Sequence, residues 1–397
     1  MFKALFLLFA LSNFAQAATV SQLESKINIL AEEIEKLKLK DKNPKAEQFF
    51  GLGQSASAVY AKDEGISIGG YGELVLNMPS GEREDGAASG QIPTGEALRG
   101  ILYFGNKFSD QWVLNTEIEI EHTDEIFLEF AYLDYLHSEK INFRSGLLLI
   151  PMGFVNESHE PIYFNSVNRP EVESKLIPST WRELGMGIFG RVKDLTYKAY
   201  LVNGFNADGF SSDGLRGGRK KGGVNTNAST TAGVFRADYQ ATDNLLVGGA
   251  IYTGSGSAPI NETVGVNLYQ AHFDFNYQGF YSKALYVRGK LDNTLAYNNK
   301  SSKGLAKDMQ GYYGELGYNF NFKKAVISPF FRYEVVDTQK EVLGSVAADN
   351  SKDRTNMYFG LAVKPIDRIV YKLDYVKKEN ETKTGIDEIN FGIGYLF

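Results

Sequence analysis

Four histidines and a complete lack of cysteine set the first limits on what chemistry this chain can do. The histidines are His122, His137, His159 and His272, and none stands at metal-ligand spacing to another. There is also no thiolate to complete a site. Ser158 and His159 are adjacent, but adjacency along the chain does not aim a base at a nucleophile. The residues therefore predict no enzyme, no metal and no cofactor. Gly69-Gly70-Tyr71-Gly72 is followed by no helical pattern, so it reads as a strand that needs close packing and not as a phosphate-cradling loop. The remaining polar chemistry is carried by carboxylates and cations at alternate positions. Such rows orient polar solutes in a transverse field and do not turn them over.

Those rows need strands to hold them. From Gly65 onward the period is two: Ile66, Ile68, Leu74 and Leu76 alternate with Ser67, Glu73 and Asn77. Tyr269, Ala271, Phe273, Phe275 and Tyr277 likewise alternate with Gln270, His272, Asp274 and Asn276. Segments run about 10–12 residues, the length of a tilted transmembrane strand. Tiny turns such as Lys193-Asp194 and Gln278-Gly279 alternate with long polar connections. The 41 glycines, 27 phenylalanines and 23 tyrosines fit strands that pack closely and rings that gather at two membrane interfaces. The prediction is an all-β fold, a closed antiparallel transmembrane β-barrel of about sixteen strands over 65–397, because an open edge cannot survive in lipid.

What precedes the barrel has other periods. Met1-Phe2-Lys3, the apolar run Ala4–Leu11 and Ala15-Gln16-Ala17 read as a cleaved signal peptide over 1–17, which predicts export. Val20, Leu23, Ile27, Leu30, Ile34 and Leu37 are spaced as heptad a and d positions. They predict a coiled-coil helix over 18–42 on the periplasmic side that self-associates, the alternative being an amphipathic helix packed on its own barrel. Asn43-Pro44 ends it, and 43–64 reads as a linker.

With the apolar face on lipid, the other face lines the lumen. The register places Glu73, Glu117, Glu119, Arg99, Arg144, Arg236, Arg288 and Arg332 there, among about twenty charges that would need water around them. The third outer connection, 152–180, carries aromatic and aliphatic residues and three prolines, and so reads as ordered. It is predicted to fold into the lumen and constrict it with Glu157, His159, Glu160, Arg169 and Glu171, ahead of Arg182 at the start of the next strand. Gly217 to Gly222 is a basic loop, read as contacting anionic lipopolysaccharide or as solvated charge. Nucleic-acid binding is not expected.

The stretches from Val59 to Glu73, Gly146 to Pro161, Arg169-Pro170-Glu171, Ile177 to Gly185 and Phe391 to Phe397 resemble the phosphate-selective porins of Gram-negative outer membranes, the porin O and porin P type in its broad sense. The resemblance covers most of the chain after the signal peptide, and the loop is its specific part. It implies sixteen strands, a homotrimer and an inward third loop. It also implies that the last strand, with Tyr395 and Phe397, signals to the barrel-assembly machinery. Phosphate selectivity does not follow from these residues, since Glu157, Glu160, Glu171 and Glu173 oppose Arg169, Lys175 and Arg182 on the loop. The expectation is an outer-membrane channel for passive diffusion of small hydrophilic solutes, with lipid and lipopolysaccharide around it. An anion-selective channel for phosphate or organic anions is the alternative, and a barrel-anchored adhesin a more distant one. A plugged active transporter is disfavoured, because no plug domain fits before Gly65.

Overall fold

A computed structural model describes residues 48–123, 125–223 and 226–397. The signal-peptide and heptad readings fall outside those residues. The strands are β1 (Gly65–Pro79), β2 (Thr94–Lys107), β3 (Trp112–Glu121), β4 (Glu125–Leu136), β5 (Asn142–Leu149), β6 (Arg182–Val192), β7 (Leu195–Asn203) and β8 (Thr231–Thr242). They continue as β9 (Leu245–Ala258), β10 (Glu262–Tyr277), β11 (Phe280–Asp292), β12 (Ala306–Tyr318, resuming after Asn319 as Phe320–Phe322), β13 (Ala325–Val342), β14 (Asp353–Ile366), β15 (Ile369–Asn380) and β16 (Glu388–Leu396). Both pieces of β12 pair with β13, so they are one strand and the barrel has sixteen. Every strand runs antiparallel to its sequence neighbours. β16 returns to β1 from Tyr71↔Leu396 to Pro79↔Glu388, which closes the sheet.

The tiny turns make this meander possible. In Gln278-Gly279 both residues have positive φ (47° and 91°), the two-residue turn whose twist matches the flanking strands. The outer face is apolar where lipid would lie: Ile66, Ile68, Leu74, Leu76, Leu102 and Phe104 are all exposed. Trp112, Tyr277, Phe280 and Tyr318 stand outward beside the short turns, as an interfacial girdle requires.

Inside, the barrel is fuller than period two predicts. On β10 and β11 the inward residues Val264, Val266, Leu268, Leu285, Val287 and Leu291 are fully buried. They join one cluster with Trp181, with Phe205, Phe210 and Leu215 after β7, and with Tyr297 and Leu305 after β11. These outer loops fold into one side of the barrel mouth and cover its wall with apolar surface.

This core reverses one expectation. Arg288 faces outward, not into the lumen. The buried positions of β11 are odd-numbered, and Arg288 shares the even face with exposed Tyr286 and Lys290. Its guanidinium pairs with Asp308 of β12 at 2.6 Å. A second difference concerns the linker, whose latter part is ordered: Gln54–Ser57 is a helical turn, Ala58–Ala61 a 3-10 turn, and Leu52, Ala56 and Val59 are buried.

Candidate functional site in the barrel lumen

The connection between β5 and β6 leaves the wall at Ile150 and returns at Trp181, and none of its residues is exposed. One side chain ties its two ends. Asn156 donates from Nδ2 to Ile150 O at 2.7 Å and to Trp181 O at 2.9 Å, and its Oδ1 accepts from Trp181 N at 2.7 Å. Between those ends the loop crosses the lumen and touches strands all around it. Gly153 N donates to Gln270 of β10 at 2.8 Å, and Arg236 of β8 donates to Gly153 O at 2.6 Å. Asn165 reaches Tyr281 of β11, and Arg332 of β13 donates to Ser166 at 2.8 Å. Val167 N donates to Asp374 of β15 at 2.6 Å, and Asn168 meets Asn77 of β1 at 2.9 Å.

Apart from Arg169, the loop's charged residues each meet a partner of opposite charge or a backbone group. Lys198 of β7 pairs with Glu157. His159 bridges Asn156 O at 2.9 Å and Glu117 of β3 at 3.0 Å. Glu171 pairs with Arg354 and accepts from Asn356 at 2.8 Å. Glu173 accepts from Val155 N at 2.8 Å and from the Tyr313 hydroxyl. Glu160 turns to the segment before β1 and accepts from Ser55 N at 3.0 Å. Arg169 is half-buried beside the outer cavity of about 590 Å³ that Asn77, Gln91, Glu171 and Lys378 also line.

The wall charges predicted for the lumen behave similarly. Arg99 sits among Glu73, Glu119 and Glu121 at 3.4–3.6 Å, Arg182 pairs with Glu129, and Arg332 lies 3.5 Å from Glu315. A bulge opposite Glu117 and Ile118 buries both Glu129 and Phe130, although they are sequence neighbours. Most of the wall charges are compensated by one another and by loop backbone, which lowers the cost of taking them out of solvent.

The basic stretch after β7 also has a role that its composition hid. Arg216 and Arg219 both donate to Ser179 O at 2.7 Å, and Arg219 also reaches Thr180 Oγ1 at 2.7 Å. They hold the end of the third loop rather than standing in solvent. Burial, and then the charge of Arg216 beside it, pushes Arg219 down to about 9. Among the described residues no group of three His, Cys, Asp or Glu is placed to hold a metal ion.

No family model matches the chain. An uncharacterized protein of Aquifex aeolicus (strain VF5) is 33% identical over 388 residues, covering 91% of this chain and 87% of that protein. The chain belongs to the family of that Aquifex protein. Solved structures give the fold. Salmonella typhi OmpF, in complex with daunomycin, superposes with a TM-score of 0.57 at 12% identity over 84% of this chain and 98% of that one. The trimer form of Vibrio cholerae OmpT gives 0.55 at 11% over 85% and 100%. The anion-selective porin of Comamonas acidovorans gives 0.52 at 9% over 84% and 100%. The fold of this Aquifex-type family is therefore that of bacterial outer-membrane porins.

Within this family member, the side chains that fix the loop include several that sequence reasoning passed over: Asn156, Gln270, Tyr313 and Arg354. No spacing flags them, since each is defined by a partner more than twenty residues away. Asn156→Ala removes three buried hydrogen bonds at once and strands Trp181 N. Each stranded group costs about 1–3 kcal/mol. Faster proteolysis within 152–180 in the folded, detergent-solubilised barrel is the expected readout, and wild-type protection would refute the clamp.

Proposed function

We propose that this protein is an outer-membrane channel for passive diffusion of small hydrophilic solutes, narrowed by its third outer loop. The observation that carries this reading is the loop itself. It joins strands around a closed, lipid-faced barrel and carries both acidic and basic side chains. Opposed charges there favour neither sign strongly and exclude by size and polarity. Export by cleavage near Ala17, a homotrimer aided by the heptad helix, and recognition of the Tyr395–Phe397 strand by the assembly machinery belong to the same reading. The OmpT structure in trimer form supports the trimer by fold alone.

Planar-bilayer recording tests it. Purified protein should give stable pores, and removing 157–175 should raise single-channel conductance roughly twofold or more, as a wider aqueous path requires. Unchanged conductance rejects the loop as constriction, and absence of pores rejects the channel.

One observation favours a second reading, an anion-selective channel. Arg169 Nη2 and Lys372 Nζ are buried without a hydrogen-bond partner on this side of the lumen. The reversal potential in a salt gradient separates the two readings.

A further inference from the structure

Residues 48–62 form a strap that is a fixed part of the barrel interior. Leu52 and Ala56 belong to its main apolar cluster, and Phe49 and Tyr60 pack against that cluster. Phe49 stacks on Tyr60 with ring centroids 3.6 Å apart, and Phe50 stands edge-on to Phe189 of β6 at 4.9 Å. Polar groups hold the same stretch. Ser55 Oγ donates to Gly70 O of β1, Asn115 of β3 donates to Ala56 O at 2.8 Å, and the Tyr60 hydroxyl donates to Asp134 of β4 at 2.7 Å. Glu160 of the third loop accepts from Ser55 N and Ala56 N. Val59 rests on Gly105 of β2, where a Cβ would come within 2.6 Å of it. Lys107 Nζ donates to Lys62 O at 2.8 Å and pins the exit. The partners run from β1 to β6, so the strap covers that side of the wall.

The other side of the same end holds a cavity of about 550 Å³. Gln48, Phe50 and Gly51 of the strap form one side of it, and Phe154 and Ser158 of the third loop another. Its remaining wall runs from Arg191 of β6 to Lys283 of β11. Exposed Lys193, Asp194 and Gln240 stand at its mouth by the short turns, and buried Lys198 lies deeper.

We propose that the strap divides the short-turn half of the lumen and confines solutes to the β6–β11 side. The route passes Arg191, Lys198, Arg236, Asp238, Asp274 and Lys283. Those charges, and not the ones behind the strap, then select what passes. Cations and carboxylates share this wall, which suits small dipolar solutes over large or strongly charged ones. This rests on the channel reading and gives it a route and a second, fixed restriction.

Cysteines placed one at a time, in a chain that has none of its own, test the route. Thr196→Cys faces the cavity. Ser67→Cys lies behind the strap, since Ser67 is 7% exposed and pairs with Gly105, on which Val59 rests. Each protein is recorded in a planar bilayer while a cationic methanethiosulfonate is added to both chambers. Thr196→Cys should lose roughly a third or more of its single-channel conductance, as a narrowed aqueous path requires. Ser67→Cys should lose none, because a buried thiol is inert, and should react only after unfolding in urea, which shows that the thiol is present. Gln240→Cys, at the mouth of the same cavity, should respond as Thr196→Cys does. Loss of conductance at Ser67→Cys would show water behind the strap and overturn the proposal. Unchanged conductance at both Thr196→Cys and Gln240→Cys would overturn it too, by placing the route elsewhere. Either of these outcomes in a conducting protein leaves the channel reading standing. Absence of pores in the unsubstituted protein removes that reading instead.

Discussion

Asp134→Ala should destabilise the barrel by about 3–5 kcal/mol, because it leaves a buried guanidinium without its counter-charge. Asp134 and Arg144 face each other across β4 and β5. Arg144 donates to Oδ1 from Nε and to Oδ2 from Nη2, both at 2.8 Å, with side-chain exposures of 4% and 0% for the pair. The guanidinium stacks 3.9 Å from the Tyr132 ring centroid and 4.8 Å from that of Phe189, so neither water nor a second carboxylate can replace Asp134 easily. The physics predicts an asymmetry. A double variant, Asp134→Leu with Arg144→Met, removes both charges and should lose much less than the single change. Urea unfolding of the protein in detergent, followed by tryptophan fluorescence, measures both. A single variant as stable as wild type would mean that solvent already screens the pair.

Gly70→Val should prevent the barrel from closing. Gly70 lies at the seam where the first and last strands meet. Its N–H donates to Phe397 O at 3.0 Å and its carbonyl accepts from Phe397 N at 2.9 Å. A Cβ at this position would stand 2.1 Å from Ile101 O and 2.5 Å from Phe397 Cζ. The ring can turn away, but the backbone oxygen cannot without breaking its ladder. Breaking the pairing of β1 with β2, on the strand that also closes the barrel, exposes unpaired N–H and C=O groups to lipid at several kcal/mol each. The expected result is loss of the compact, heat-modifiable band on a gel after refolding. Gly100→Val is the control, because a Cβ there meets nothing within 4 Å. If both variants fold alike, the seam argument is wrong.

Much of the architecture was legible beforehand because lipid imposes a severe rule. Every strand must show an apolar face outward, and every edge must pair. Ile66, Ile68, Leu74 and Leu76 obey that rule on β1, so strand register and the closed barrel of about sixteen strands followed from sequence. The rule fails where the lumen side is also apolar. On β11, Leu285, Val287 and Leu291 alternate with Tyr286, Arg288 and Lys290, and both faces carry hydrophobic residues. Only the packing of the loops after β7 and β11 against the odd positions decides that Arg288 points out. In the same way, the polar composition of 217–222 gave no hint that Arg219 would fold back onto Thr180.

Period, turn length and the proline-bearing third loop are local properties, and local properties are what a sequence by itself determines. It settled that this chain makes a meandering barrel with polar residues at alternate positions. It did not settle how those polar residues are satisfied. The partnerships of Glu157 with Lys198, His159 with Glu117 and Glu160 with the backbone of Ser55 each join residues far apart in the chain. Burying such groups is tolerable only when a partner is in place. The tertiary structure alone supplies those partners, and with them a seated strap where the sequence offered only a linker.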